Sequence, residues 1–316
     1  DKVDALSLYT LQVPTGGEAQ ALAALRSNPD VVYAELNAVA TEAARSPRAG
    51  RPDSLSGATS DPGFNDPYLG YQWNLRAING LAALGSARGS GVTVAAIGSG
   101  VALDNPELAP RLVAGYNFID NTSTPADDHG FGTFDAGLIA ATANNGIGVV
   151  GVAPEVSLMP LKALRRSGDV LEVSHSTVVA AINYALDHGA KVIHIEIAWD
   201  APSQSVADAV ALARSRGAVV VAPAHRPYPA SYAGVIGVSA LNDDDSHPDW
   251  GGSGSAVKLS APGGSGMIST WPSPGSCPIA TCPYYGDGQV AFASSHVAGV
   301  AALVLSAHPD WTAAQV

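Results

Sequence analysis

Residues 127–134 read Asp-Asp-His-Gly-Phe-Gly-Thr-Phe, two acids and a histidine directly ahead of a glycine-rich helix start. A carboxylate beside an imidazole can move a proton or hold a metal, but capping the helix and solvating the loop is the simpler role for His129, Asp127 and Asp128. His194 and Glu196 alternate along one strand, and His225 with Arg226 ends a neighbouring one. Gathered at adjacent strand ends, these four would make a polar cluster in which Glu196 pairs with Arg226 or His225. A metal or acid–base site there is the less favoured reading, because an H-x-E spacing alone is weak. Ser99, Ser294 and Ser295 offer hydroxyls. The latter two fall inside an apolar helical run, where small packing residues are expected rather than nucleophiles.

Such groups have to be carried by regular elements, and these are legible. Apolar strands are predicted at 92–97, 192–197, 218–222 and 234–239, and helices at 133–142, 175–189, 204–216 and 291–307. Near-continuous apolar strands alternating with amphipathic helices imply an α/β domain, with a mostly parallel sheet covered on both faces. Sites in such sheets lie at the carboxyl ends of strands, where "AIGSGV", "HGFGTF" and "VAPAHR" fall. Ahead of this domain, residues 1–40 form a small α+β unit, read as a strand (LSLYTLQVP), a helix (EAQALAALRSN) and a strand (VVYAELNAV). Residues 41–65, rich in Pro, Gly, Ser and Arg, read as a flexible linker, and 66–316 as the main domain.

The 316 residues are 47% hydrophobic and 14% charged, which suits one large core with a small appendage. A net charge of −12 argues against nucleic acid or an anionic membrane as a partner. No apolar run is read as reaching the roughly 18 residues of a membrane span. The chain opens on Asp1 rather than Met, so removal of an upstream piece is expected. Cys277 and Cys282 flank a four-residue loop containing proline. A disulfide would close that loop, and free thiols are the plainer alternative; the disulfide would fit an extracellular, secreted setting.

From about residue 64 onward the chain resembles the subtilases, the subtilisin-like serine proteases, and most of all their thermitase-like branch. The resemblance is carried by "NDPYLGYQW", "SGVTVAAIGSGV", "HGFGTFDAGLIAATANNGIGVVGVAP", "AINYALDHGAKVIHIEIA", "SRGAVVVAPA", "KLSAPGG" and "HVAGVAALVLSAHPDWT", in family order. It implies a subtilisin-like three-layer α/β fold. It also likens residues 1–40 to the second half of the family's propeptide, docked on two surface helices, with the chain after Val39 heading toward the cleft. "HPDWTAAQV" resembles the start of a helix that normally continues, so a C-terminal truncation is expected.

Function in this family rests on an Asp that orients a His, the His that deprotonates a Ser, and an Asn at the oxyanion. By the resemblance, these positions hold Gly98, Phe131, Ala291 and Arg226. Gly98 has no side chain, Phe131 cannot take a proton and Ala291 has no nucleophilic oxygen. The segment lining the specificity pocket becomes Glu196-Ile197-Ala198-Trp199. Trp199 is expected to fill or cap the altered cleft formed by Glu196, Ala198, Trp199 and His225, unless these are only packing replacements. The resemblance also implies a structural calcium held by Asp66, Glu107 and Asn145, with carbonyls of Ala143, Ile147 and Val149.

The expectation is therefore a secreted, non-catalytic subtilase homologue acting in binding, scaffolding or assembly. A protein partner or self-assembly is implied, and the propeptide-like unit stays attached. Two alternatives are a hydrolase with a non-standard site around Glu196, His225 and Arg226, and a decoy or regulator of an active protease.

Overall fold

The computed structural model describes residues 2–3, 6–43, 63–168, 170–272, 284–285 and 288–316. Cys277, Cys282 and the predicted linker residues 44–62 lie outside the described residues. The N-terminal unit comprises β1 (Lys2–Val3), β2 (Leu8–Tyr9), α1 (Glu18–Ser27) and β3 (Val39–Ala43). The main domain begins with α2 (Trp73–Ala77), α3 (Gly80–Ala83), β4 (Thr93–Gly98), β5 (Tyr116–Asn117), α4 (Phe131–Ala140), β6 (Ser157–Lys162), β7 (Arg165–Ser167) and β8 (Val170–Ser174). It continues through α5 (His175–Asp187), β9 (Val192–Ile195), α6 (Gln204–Ser215), β10 (Val219–Pro223), β11 (Val235–Leu241), β12 (Leu259–Pro262), β13 (Ser269–Thr270), β14 (Tyr284–Tyr285) and α7 (Val290–Ala307).

Seven strands form one sheet in the order β12-β11-β10-β9-β4-β6-β5. Every neighbouring pair in it is parallel. β9 and β10 are buried along their whole length, because helices cover both faces. Ile193, Ile195 and Val220 pack toward Val178 and Ile182 of α5 and Val206 and Val210 of α6. Val94, Val192 and Val221 face the other way, toward Ala298 and Ala302 of α7 and Ile139 of α4. This is the expected three-layer subtilisin-like α/β fold.

α7 corrects one sequence expectation. Its 18 residues, at a mean hydropathy of 1.8, are long and apolar enough to cross a membrane, yet 78% of the helix is buried inside the domain. Its apolarity serves packing against α4 and against β9–β12.

β4 lies between β6 and β9, so the chain leaves the sheet centre in opposite directions at its carboxyl end. That switch point opens a crevice between the ends of β4 and β9, where α4 and α7 also begin.

The N-terminal unit departs from expectation in two places. Residues 31–38, read as strand, are irregular, and the strand is Val39–Ala43 instead. Residues 41–43, read as linker, are thus paired. β3 runs antiparallel to β8, with Ala40 opposite Val173 and Glu42 opposite Leu171, and β7 completes a three-stranded sheet. "VATEA" carries little strand signal of its own, so the pairing comes from the open edge that β8 offers.

Candidate functional site

Four sequence-predicted positions converge at the crevice. Gly98 ends β4, Phe131 opens α4, Ala291 lies in the first turn of α7, and Arg226 follows β10. The start of α4 is held by Asp127. Its Oδ1 accepts from the amides of His129 and Gly130 at 2.9 Å each, and from Ser99 Oγ at 2.9 Å. Its Oδ2 accepts from Thr133 N and Thr133 Oγ1. Asp127 is therefore a cap, as its place before the helix implied. Gly130 adopts φ +114°, and a Cβ there would strike the Trp271 indole, so glycine is required. His129 is buried edge-on to Phe131, ring centroids 4.3 Å apart, and burial lowers its pKa. Lys162 ion-pairs with Asp128 at 2.7 Å and donates to Ser99 O at 2.6 Å.

Aromatic rings fill the middle of the crevice. Phe134 stacks on Phe292 at 4.1 Å, while Phe131 meets Phe292 edge-on at 5.9 Å and Trp271 at 6.4 Å. Phe131 is 4% exposed and Phe134 is 0% exposed.

Below the rings lies a buried polar cluster. Glu196 does not pair with Arg226 or His225, contrary to the expectation from sequence. Its carboxylate instead enters the space beside Gly98, where a Cβ on residue 98 would fall on Glu196 Oε2. There Oε2 accepts from Ser99 N at 3.0 Å, and Oε1 has no hydrogen-bond partner. Asp135, one turn past Phe131, accepts from Ser295 Oγ at 2.6 Å through Oδ1 and leaves Oδ2 without a partner. Burial pushes both carboxyls up, Asp135 to about 8, and the charge of Asp135 adds to the rise at Glu196. Burial pushes His194 down to about 3, so its ring is neutral.

The hydroxyls here are not primed as nucleophiles. Ser294 Oγ donates to Ala291 O at 2.7 Å, so its 2.7 Å contact with His194 Nε2 must be one in which the ring N–H donates. His296 donates from Nδ1 to Phe292 O, and Asn74 Nδ2 lies 2.7 Å from its Nε2. Burial lowers the His296 pKa to about 4. Sequence reasoning does not single out Asp135; its one signal is a lone acid within an otherwise apolar helix turn.

His225 and Arg226 face the N-terminal unit. Arg226 Nη1 lies 3.2 Å from Asp200 Oδ2 and 3.5 Å from Thr41 O, and His225 Nε2 lies 3.2 Å from Glu42 Oε1. Trp199 is buried against the His175 ring at 5.3 Å. Its backbone exchanges hydrogen bonds of 2.7 and 3.0 Å with Tyr228. Ala198 is fully buried. Glu196, His225 and Arg226 thus have three separate sets of partners.

The N-terminal unit is held at two helix starts. Asn37 exchanges hydrogen bonds with Ser176 N and Oγ at the start of α5. Glu35 accepts from Ser203 Oγ, Gln204 N, Ser205 N and Ser205 Oγ at the start of α6. Partial burial raises the Glu35 pKa, but these four donors outweigh it and leave the pKa lowered. Glu35→Ala should cost about 1–2 kcal/mol and increase amide exchange across β3, read by hydrogen-exchange mass spectrometry. Unchanged exchange would show that β3 is held without this cap.

Asp66, Glu107 and Asn145 also converge. Asp66 accepts from Asn144 N and Asn145 N, and Glu107 accepts from Asn145 Nδ2 and Val149 N. Both acids are buried, and desolvation raises the pKa of Asp66.

A three-layer parallel α/β domain, with its crevice at this switch point and helices α4 and α7 opening into it, defines the class of protein. Residues 89–316 match the model of the Subtilase family, peptidase S8. Thermitase of Thermoactinomyces vulgaris is 36% identical over 249 residues, covering 77% of this chain and 85% of thermitase. Subtilisin E of Bacillus subtilis is 32% identical over 310 residues, covering 95% of this chain and 71% of that protein. Among solved structures, fervidolysin from Fervidobacterium pennivorans superposes with a TM-score of 0.73 at 27% identity, covering 86% of this chain and 46% of fervidolysin. The chain belongs to the subtilase family.

Proposed function

We propose that this chain is a non-catalytic subtilase whose closed cleft serves binding, scaffolding or assembly. The observation that carries this reading is the content of the crevice. Gly98, Phe131 and Ala291 supply neither an orienting carboxylate, a proton acceptor nor a nucleophile; Phe131 and Ala291 are buried in one cluster with the stacked Phe134 and Phe292, and the Glu196 carboxylate fills the space beside Gly98. Without those groups, only binding and oxyanion effects would remain to accelerate hydrolysis, and Arg226 is committed to Asp200.

In this reading residues 1–43 are a retained propeptide-like unit, and β3 lies on the β8 edge in place of an extended peptide. The chain is secreted and remains uncut. Asp66, Glu107 and Asn145, with carbonyls of Ala143, Ile147 and Val149, would hold a structural calcium. The donor set is hard oxygen, and two buried acids meet at one loop.

The test is incubation of the purified chain with unfolded protein substrates and a serine-directed fluorophosphonate probe. No cleavage, no labelling and an intact full-length chain are expected. Turnover that tracks with the protein and disappears in Glu196→Gln would establish the alternative hydrolase. A calcium arm belongs to the same experiment: chelation should lower the melting temperature and calcium should restore it. An unmoved melting temperature would remove the calcium site from the reading.

A further inference from the structure

Glu196 and Asp135 are the two acids at the crevice for which the non-catalytic reading supplies no role. They approach from different elements, Glu196 from the loop after β9 and Asp135 from the second turn of α4. Both are buried, at 5% and 1% exposure. Each has one satisfied oxygen: Glu196 Oε2 takes Ser99 N, and Asp135 Oδ1 takes Ser295 Oγ–H. Each also has one oxygen with no partner, Oε1 and Oδ2.

Two ionised carboxylates left this way in a dry core would be strongly unfavourable. The charged groups around them offer no relief. Asp127 before α4 and Glu42 on β3 add negative potential at Glu196. His194 on β9 is neutral and donates to Ser294. Lys162 on β6 is engaged by Asp128 and Ser99 O and Arg226 by Asp200, while His225 Nε2 lies 3.2 Å from Glu42 Oε1. A proton on either carboxyl removes one of the two buried charges.

We propose that Glu196 and Asp135 retain at least one proton between them, and that this proton acts as a pH-sensitive latch for the closed cleft. With the proton in place the crevice is compact beneath β3. When it is lost to solvent, two buried charges add to the negative potential of Asp127 and Glu42, and the strain is relieved by loosening β3 and the start of α4.

The sign follows from linkage. Unfolded carboxyls lose their protons near their ordinary range, whereas burial raises both folded carboxyls, Asp135 to about 8. Stability contributed by the proton is therefore fully present below the ordinary carboxylate range and is lost as pH rises toward the folded value. One proton corresponds to roughly a tenfold fall in the folding constant per pH unit across that window.

Three measurements on the full chain test this. The infrared carbonyl stretch of a protonated carboxylic acid should be present at neutral pH and should weaken in Glu196→Gln and Asp135→Asn. The wild-type melting temperature should fall steadily from about pH 5 to about pH 9, with the fall reduced in either amide variant. Protection of residues 39–43, corrected for intrinsic exchange, should drop about tenfold or more at alkaline pH in the wild type and hold in Glu196→Gln.

No protonated-acid band at neutral pH in the wild type would overturn the proposal, and that reading does not depend on any variant folding. A melting temperature flat with pH, or equal loss of β3 protection in wild type and Glu196→Gln, would also overturn it. None of these readouts depends on whether the chain hydrolyses anything.

Discussion

Gly98→Asp is expected to destabilise the chain by roughly 4 kcal/mol or more, and Glu196→Ser in the same chain to recover most of that loss. A Cβ at residue 98 would lie on Glu196 Oε2, 2.9 Å from its Cδ and 3.3 Å from its Cβ. The Glu196 carboxylate is the end of a flexible side chain, but Oε2 is anchored to Ser99 N and the site is closed. Steric pressure alone costs about 1–3 kcal/mol in a packed core. The aspartate also brings a third carboxyl beside Glu196 and Asp135, and an uncompensated buried charge is more costly still. Gly98→Ala separates the two effects, since it carries the clash without the charge. Urea unfolding of both single variants and the double gives the coupling energy. Additive losses would mean that Glu196 does not occupy this space.

Phe134→Ala is expected to cost about 3–5 kcal/mol, the range for a large buried ring removed from a core that cannot collapse. Phe134 is fully buried, stacked on Phe292 and edge-on to Trp271 at 6.4 Å. Its ring joins the first turns of α4 and α7, so the cavity would open where the two helices enter the crevice. Chemical denaturation should show the loss with the slope unchanged. A loss below about 1 kcal/mol would show that the stack contributes little. In an active-site reading of Phe134 the same change would alter turnover while leaving stability near its original value.

The sheet was legible because its central strands are short apolar runs. The readings at 92–97 and 218–222 fall within a residue of β4 and β10. β6 is not legible because Met159-Pro160 interrupts the pattern, and proline in a central strand argues against one. β3 was missed for the opposite reason: its residues are weak strand formers, and an edge elsewhere in the fold recruits them. Flanking motifs single out Gly98, Phe131, Arg226 and Ala291 one by one, by resemblance. What could not be read was their interdependence. Glu196 was matched with the nearest cations in the sequence pattern, whereas the space left by the missing side chain at residue 98 drew it the other way.

The pairing of β3 with β8 has a consequence for any outside ligand of that edge. β3 is joined to the main domain by the intervening chain, residues 44–62, so it competes as a tethered strand rather than at its bulk concentration. A covalently joined strand has an effective concentration on the order of millimolar. A peptide that bound the bare edge with micromolar affinity would have to displace a resident at many times its own Kd. Its apparent affinity would then drop by a factor near the ratio of those two concentrations. Screening such peptides against the intact chain would therefore understate what the edge can hold. The relevant comparison is with a chain whose β3 backbone is blocked from pairing, for instance by Ala40→Pro, since Ala40 shares the hydrogen-bonded register in which Ala38 O accepts from His175 N.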